Sequence, residues 1–514
     1  MLFYILTKIM SNVTKIVYIL VLEVFYTTNQ TYANTSLFNV SNKMNNDTII
    51  CDSNISLTTR DINRIFVTDS VVIMGTTKTS GIKTNQNGTI TFDMSLLNRM
   101  PKILGNADPI HYAQMLPGVQ SNSEYDSGIH ISGCDNQHNN ITINGVTIYN
   151  PSHILGFFSL FNPSHYASMD IKKNVFDATD ANRLGGAINM NSSLEIPQKT
   201  NGEFSIGLIS SQGTVKVPIN NKSAFSASLR TSYLNLLYSP WLETTDTKLK
   251  YSFTDANLTY INQISKSDKL WIDAYYGNDN SDITMKMADG KLKGKWGNYM
   301  IAIIWSHNTK SYGDFKQTVY TTSSYTNIDF KQDIFEVNLP SKIADYGYKL
   351  HWNANKFTGG AEIIYHRIHP QSPSSNSLSI STTNNTLPIE QSLENIIYTN
   401  YEQKIINNLI LSAGLRGNLF IPEIKSSIKS PFTSIDPSTT LSYQIKNIKF
   451  SFNFSQRHQF LHQTGISSMG LPIEYWISSN KILQPQHSDV FSLNSEIKIK
   501  NGLWIINMSY TEKS

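Results

Sequence analysis

From about residue 200 to the end of the chain, apolar and polar positions alternate with a period of two. Between Ile448 and Ser455, Ile448, Phe450, Phe452 and Phe454 are apolar while Lys449, Ser451, Asn453 and Ser455 are polar. Successive strand side chains point to opposite faces, so this pattern predicts a β-strand with one apolar and one wet face. Leu441-Ser442-Tyr443-Gln444-Ile445 precedes it through Lys446-Asn447, a turn of two residues. Leu270, Ile272, Ala274 and Tyr276 alternate with Trp271, Asp273 and Tyr275, and the runs Phe491 to Ile499 and Leu503 to Tyr510 flank Lys500-Asn501-Gly502. At roughly 20 residues per strand and connection, the 200–514 segment has room for ~14–16 strands. A soluble antiparallel sandwich alternates in the same way. Strands of ~9–11 residues, the length that crosses a bilayer obliquely, favour a transmembrane β-barrel instead.

Residues 78–195 are patterned differently, as a small α+β domain. Asn144-Gly145 between Ile141-Thr142-Ile143 and Val146-Thr147-Ile148 predicts a tight hairpin, because a type I′ turn needs positive φ at both central positions. Asn162-Pro163 combines a capping residue with proline at the first helical position and predicts a short helix. Gly185-Gly186 reads as a place where the backbone turns. Upstream, residues 65–77 form a short β-prone run ending in glycine, and residues 34–64 are polar, Asn-rich and without period. Lys8 and Lys15, the apolar run Ile16 to Leu22 and Thr31-Tyr32-Ala33 give residues 1–33 the make-up of a signal peptide, interrupted by Glu23.

Composition narrows the function classes. Past the first thirty residues no stretch holds ~18 consecutive apolar residues, which argues against a helical membrane protein. The formal charge is +4 and 16% of residues are charged. No basic cluster is interleaved with aromatics, so nucleic acid is not a partner. Cys51 and Cys134 are the two cysteines, too few for a disulfide framework or a CxxC metal site. No Walker loop, GxSxG elbow, HExxH or GxGxxG is present, so the reading is not an enzyme and needs no cofactor. His130, Cys134, Asp135 and His138 would gather on one face of a helix. The flanking alternation places them on a strand and turn, where solvated polar groups are the better reading and no metal is expected.

A set of short words in the small domain carries a family resemblance. They are Leu116-Pro117-Gly118-Val119-Gln120, Ser127-Gly128-Ile129-His130-Ile131, Ile143-Asn144-Gly145-Val146, Ile148-Tyr149-Asn150-Pro151-Ser152-His153, Gly156-Phe157-Phe158-Ser159 and Phe161-Asn162-Pro163. Their order and spacing resemble the plug domain of TonB-dependent outer-membrane receptors, in the version typical of Bacteroidetes. Ser223 to Arg230 with Ser232-Tyr233-Leu234 resembles the family's early barrel strands. Gly470-Leu471-Pro472, Trp476 and Pro485-Gln486 resemble a later loop and strand. Where the family commonly has Arg-Gly-Gly, this chain has Ser132-Gly133-Cys134.

The resemblance implies a mostly β protein in the outer membrane: a plug at 78–195 and a transmembrane barrel from 200 onward. It implies an energy-coupled receptor that binds and imports a scarce solute. Its partners would be the periplasmic TonB protein, outer-membrane lipid, an unidentified small ligand (siderophore, glycan or peptide) and a surface lipoprotein. Ser70, Val71, Val72, Ile73 and Met74 would form the TonB box, an extended segment that adds a strand to TonB; an ordinary first plug strand is the rival reading. Tyr149, His153, Phe157, Phe158 and His165 would face the solute, the rival reading being that they pack the plug against the wall. Plugged barrels of this kind close with 22 strands, so ~14–16 strands mark the barrel as incomplete and the chain as C-terminally truncated, either a fragment of a longer receptor or a truncated gene product, with a non-transporting receptor fragment as one alternative function. A surface-exposed binding or adhesion protein is the alternative from another class; it needs neither TonB box nor closed barrel.

Overall fold

The computed structural model describes residues 81–513 apart from short internal stretches, the longest being 122–127, 376–386, 425–429 and 465–473. The leader, the lead-in, the Ser70 to Met74 segment, Cys51 and Phe157 lie outside the described residues. All described residues belong to one compact unit, Ser80–Ser514, and within them no helix is long and apolar enough to cross a membrane.

The first region has ten described strands: β1 Ile82–Thr84, β2 Ile90–Asp93, β3 Val119–Gln120, β4 His130–Ile131, β5 Asn140–Ile143, β6 Val146–Thr147, β7 Ser152–His153, β8 Phe158–Ser159, β9 Tyr166–Lys172 and β10 Ala187–Ser192. Six make one sheet in the order β1-β2-β9-β10-β5-β6. β5 and β10 pair in parallel, and β9 and β10 antiparallel. The short helix α1, Pro109–Gln114, starts where Asp108 accepts the backbone N–H of Ile110 and His111 and proline stands in the first turn. Ile141, Ile143, Met169, Ile171, Ile188 and Met190 alternate inward and are buried. The same buried cluster continues into Ala224, Trp271, Met300 and Ile304 of the larger sheet, so the small sheet packs directly against the large one.

The hairpin at Asn144-Gly145 forms as the sequence predicts, with φ of +50° and +84°. The helix predicted from Asn162-Pro163 does not form. Asn162 instead caps a turn, accepting the Ser164 N–H at its side chain and the His165 N–H at its carbonyl, and β9 follows at once. Contacts of His165 with Ser228 and Thr259, and of Tyr166 with Asn257, fix the turn and the start of β9 against the wall and override the local signal. Gly185 and Gly186 also serve a purpose other than turning. A Cβ on Gly186 would sit 2.3 Å from Ile131 Cδ1, and one on Gly185 would sit 2.4 Å from Asn139 Oδ1. Both glycines are there for close approach.

The remaining strands are β11 Asn201–Ile206, β12 Ser210–Asn220, β13 Ser223–Ser232, β14 Thr247–Gln263, β15 Asp268–Met285, β16 Gly290–Thr309, β17 Gly313–Gln332, β18 Phe335–Ala354, β19 Phe357–His369, β20 Ser374–Ser375, β21 Glu390–Ile406, β22 Leu409–Ile421, β23 Phe432–Ile445, β24 Ile448–Gln459, β25 Leu461–Thr464, β26 Tyr475–Ser478, β27 Gln486–Ile499 and β28 Gly502–Lys513. Among the described residues, fifteen of them run in chain order through one antiparallel sheet, from edge strand β11 to edge strand β28; β20 joins the same sheet beside β18, and β25 and β26 pair with each other. Fifteen agrees with the count read from the sequence.

One end of this sheet carries tight connections, such as Asn355-Lys356, Asn407-Asn408 and Lys446-Asn447. β16, β17 and β18 reach 20 residues each, about twice the length expected. At ~3.4 Å per residue they outrun a bilayer and project beyond it. Along β24, Ser451, Asn453, Ser455, Arg457 and Gln459 are buried while Phe450 and Phe452 are more than 40% exposed. The sheet thus turns its polar face inward and an apolar belt outward, the reverse of a soluble core.

Candidate functional site: the seat of the plug in the wall

The small domain sits inside the large sheet, and strands all along that sheet touch it. Asn106 donates to Ser210 on β12 and His165 meets Ser228 on β13. Asn144 donates to Asp273 on β15, Tyr149 to Asp345 on β18, and Lys513 on β28 to the Gly133 carbonyl. Between these, β21, β22, β24 and β27 contribute Asn400, Arg416, Arg457 and Ser488. These hydrogen bonds arise because each strand presents its polar positions inward; between them, apolar clusters such as Tyr149 with Ile343, Phe420 and Trp476 also join plug and wall.

The segment from Tyr149 to His165 holds the strongest of these contacts. His153, on β7, is fully buried. Its Nε2 lies 2.8 Å from Asp255 Oδ1 and its Nδ1 lies 2.7 Å from Asp279 Oδ2. The Phe253 ring stacks on the imidazole at 4.4 Å. An imidazole has donors on both nitrogens only when protonated, so this geometry is that of an imidazolium between two carboxylates. Burial alone would lower its pKa, but the charges of Asp255 and then Asp279 outweigh that and push it up to about 9. Arg230 and Tyr275 also donate to Asp255, and Tyr251 donates to Asp279. The Ser159 peptide is held from both sides: its N–H donates to Asp108 of the plug, and its carbonyl accepts from Arg230 of the wall, each at 2.6 Å.

Two further seats flank this one. Tyr149 donates to Asp345 Oδ2 at 2.6 Å, and the same carboxylate lies 2.8 Å from His366 Nδ1, whose other nitrogen is 3.3 Å from Glu394. Arg183 of the plug lies over the Trp476 ring at 4.5 Å, and Trp476 meets Tyr149 edge-on. His165 is buried against two hydroxyls, Ser228 Oγ at 2.8 Å and Thr259 Oγ1 at 2.9 Å. With no carboxylate beside it, burial and then Lys216 push its pKa down to about 3. It sits neutral, one nitrogen donating and the other accepting. Phe158 is fully buried next to Ser159.

The structure thus brings Tyr149, His153, Phe158 and His165 together on one stretch of plug and faces Tyr149, His153 and His165 with wall residues. Their partners, above all Asp255, Asp279, Arg230, Asp345 and His366, were not singled out from sequence. A usable signal was present: in β14, Asp255 falls on the same face as Tyr251, Phe253, Asn257 and Thr259, so a charge stands on an inward row. The His130 to His138 cluster lies on β4, a turn and a 3-10 turn. His130 Nδ1 is 3.1 Å from the Cys134 carbonyl and His138 Nδ1 accepts the Asp135 N–H. Cys134 is buried, and among the described residues no three His, Cys, Asp or Glu converge as a metal set.

No protein-family model and no curated protein matches the sequence. Solved structures do match the fold. The siderophore receptor PirA from Pseudomonas aeruginosa aligns with 83% of this chain and 74% of its own, at a TM-score of 0.56 and 12% identity. The ferric yersiniabactin uptake receptor FyuA from Yersinia pestis aligns with 84% and 72%, at 0.55 and 10%. The alcaligin outer-membrane receptor FauA from Bordetella pertussis aligns with 84% and 73%, at 0.55 and 11%. With a plug seated in an outward-apolar antiparallel sheet, this chain has the plug-and-barrel fold of the TonB-dependent outer-membrane receptors.

Proposed function

We propose that the protein is a TonB-dependent receptor of the outer membrane that binds a scarce solute and imports it by remodelling its plug, without bond chemistry. One observation carries the reading: a small six-stranded sheet sits within the long antiparallel sheet, and many of the contacts that hold it there are hydrogen bonds and ion pairs, which water can replace. An adhesin has no use for such a stopper. The named structures, a siderophore receptor and a ferric yersiniabactin uptake receptor among them, support a small solute as ligand and TonB as partner. The plug words favour the Bacteroidetes type, in which a surface lipoprotein would be a further partner.

In this reading Ser70, Val71, Val72, Ile73 and Met74 are the segment TonB grips. Tyr149, His153, Phe157, Phe158 and His165 form the stretch through which solute binding reaches the seat. Solute need only weaken those seats for a pull on the N-terminal segment to loosen the plug.

The test is a photocrosslinker at position 71 in the native membrane. A TonB adduct is expected in the outer-membrane fraction, and Val72→Pro, which removes an N–H donor from the added strand, is expected to reduce it strongly. Recovery of the protein in the cytosol, or an adduct yield unaffected by Val72→Pro, would overturn the reading.

A further inference from the structure

Between the small sheet and strands β17–β19 of the wall lies a cavity of about 290 Å³. The plug lines it with Asn140 of β5 and with Asp170 and Lys172 of β9. The wall lines it with Lys316 and Thr318 of β17, Lys349 of β18 and Glu362 of β19.

The charged groups of this lining have partners, with one exception. Lys349 Nζ lies 2.8 Å from Glu362 Oε1 and donates to the Gly145 carbonyl at 2.7 Å. Lys172 pairs with Asp177 at 3.1 Å. Asp170 accepts from the Thr91 hydroxyl at 2.6 Å and from Asn191 Nδ2 at 2.7 Å, one on each oxygen. Lys316 is the exception. It stands on the inward row of β17 with Thr318, Tyr320 and Thr322, all buried. Its ammonium lies 5.6 Å from the centre of the Trp271 ring, and it has no hydrogen bond or ion pair with the described residues. The Lys349 charge repels it, and Asp273, which attracts it, is already held by Asn144 and Thr259.

The uncharged groups are unbalanced in the same direction. Thr318 Oγ1 has no partner among the described residues. Asn140 gives its side-chain carbonyl to the Thr147 hydroxyl, which leaves its amide N–H groups unused. Asn182, also on the lining, gives its carbonyl to Arg416 and keeps its amide in the same way. The lining therefore has donors to spare, three of them on an ammonium. A cation withdrawn from bulk water is costly until an opposite charge and hydrogen bonds compensate it.

We propose that this cavity is a binding site for a compact oxyanion of the phosphate or sulfate type, held by Lys316 together with Thr318 and Asn140. Donors of three kinds, on two different elements, suit an ion with several acceptor oxygens better than a bare halide, and a lysine ammonium supplies the point charge. The ion bridges β17 of the wall to β5 of the plug. It adds a removable ionic link to their direct contacts, whether or not a solute is carried.

Sodium phosphate and sodium sulfate are titrated calorimetrically into the full-length protein in detergent micelles, in chloride buffer at neutral pH and constant ionic strength. One saturable ion per chain is expected with either salt. Lys316→Met keeps the aliphatic stem against Trp271 and removes the charge, and is expected to weaken binding at least about tenfold. Lys316→Arg retains the charge and is expected to stay within about threefold of wild type. Thr318→Val takes away one neutral donor and is expected to weaken binding about three- to tenfold; it decides the matter should Lys316→Met fail to fold. Bound ion stabilises the folded state by mass action, so the unfolding temperature is expected to rise with phosphate concentration in wild type and to stay flat in Lys316→Met. Lys293→Met, at an exposed position of β16, is expected to bind as wild type does. No saturable binding by wild type, undiminished binding by Lys316→Met and Thr318→Val, or an equal loss in Lys293→Met overturns the site.

Discussion

The imidazolium at His153 makes a pH test of the seat possible. An ordinary imidazole titrates near 6.5, and this one is held up to about 9 by Asp255 and Asp279. A group whose folded-state pKa is raised contributes stability that is complete below its unfolded pKa and is lost as pH climbs through the folded one. Between pH 6.5 and about 9, therefore, the seat gives up what the proton supplies. The difference between these two values corresponds to about 3 kcal/mol. Calorimetric unfolding in detergent micelles, wild type against His153→Gln, measures it from pH 6 to 10. Other groups that titrate in this range, such as Lys173, whose pKa burial lowers to about 8, are common to both proteins and cancel in the difference. Wild type is expected to lose about 3 kcal/mol more than the variant as pH rises. Removing the histidine alone takes a shared positive charge from two buried carboxylates, leaving Asp255 with Arg230 and Tyr275 but Asp279 with only the Tyr251 hydroxyl, at a cost of about 3 kcal/mol at neutral pH. Adding Asp279→Asn should recover part of that loss. Identical pH dependence in wild type and variant would refute the imidazolium assignment.

Three further outcomes follow from particular contacts. Tyr149→Phe removes the donor to Asp345 and is expected to cost about 1–3 kcal/mol, read as earlier proteolysis of the plug; unchanged protease resistance would count against that seat. Gly186→Ala puts a methyl group into Ile131 and is expected to destabilise by about 1–3 kcal/mol in the same calorimetry, whereas a role in turning alone would tolerate alanine. Phe452→Arg places a charge on the outward belt and is expected to cost about 2–4 kcal/mol near mid-bilayer, lowering recovery from the outer membrane. Ser451→Arg, on the inward row, is the control; equal recovery of the two would mean the belt does not face lipid.

Much of this architecture was legible in the chain because it depends on neighbours one or two residues apart. Which face of β24 is wet follows from a period of two, and the Asn144-Gly145 hairpin from backbone conformations that those two residues tolerate. The fifteen-strand sheet follows from length and repeated alternation. Asn162-Pro163 shows the limit of such reasoning, since a sound local helix signal gave way to contacts that fix His165 in a turn and Tyr166 at the start of a strand.

What the sequence could not decide is the chemistry at each histidine of the plug. His153 and His165 are twelve positions apart on similar stretches. One is charged between Asp255 and Asp279, 102 and 126 residues away, and the other is neutral between Ser228 and Thr259, 63 and 94 residues away. Alternation tells which side chains of β14 point inward, but not which plug residue stands opposite them. That depends on strand register summed across the sheet and on how the plug is turned within it. Only the assembled structure fixes both, and an imidazole takes its charge from whichever groups that assembly places beside it.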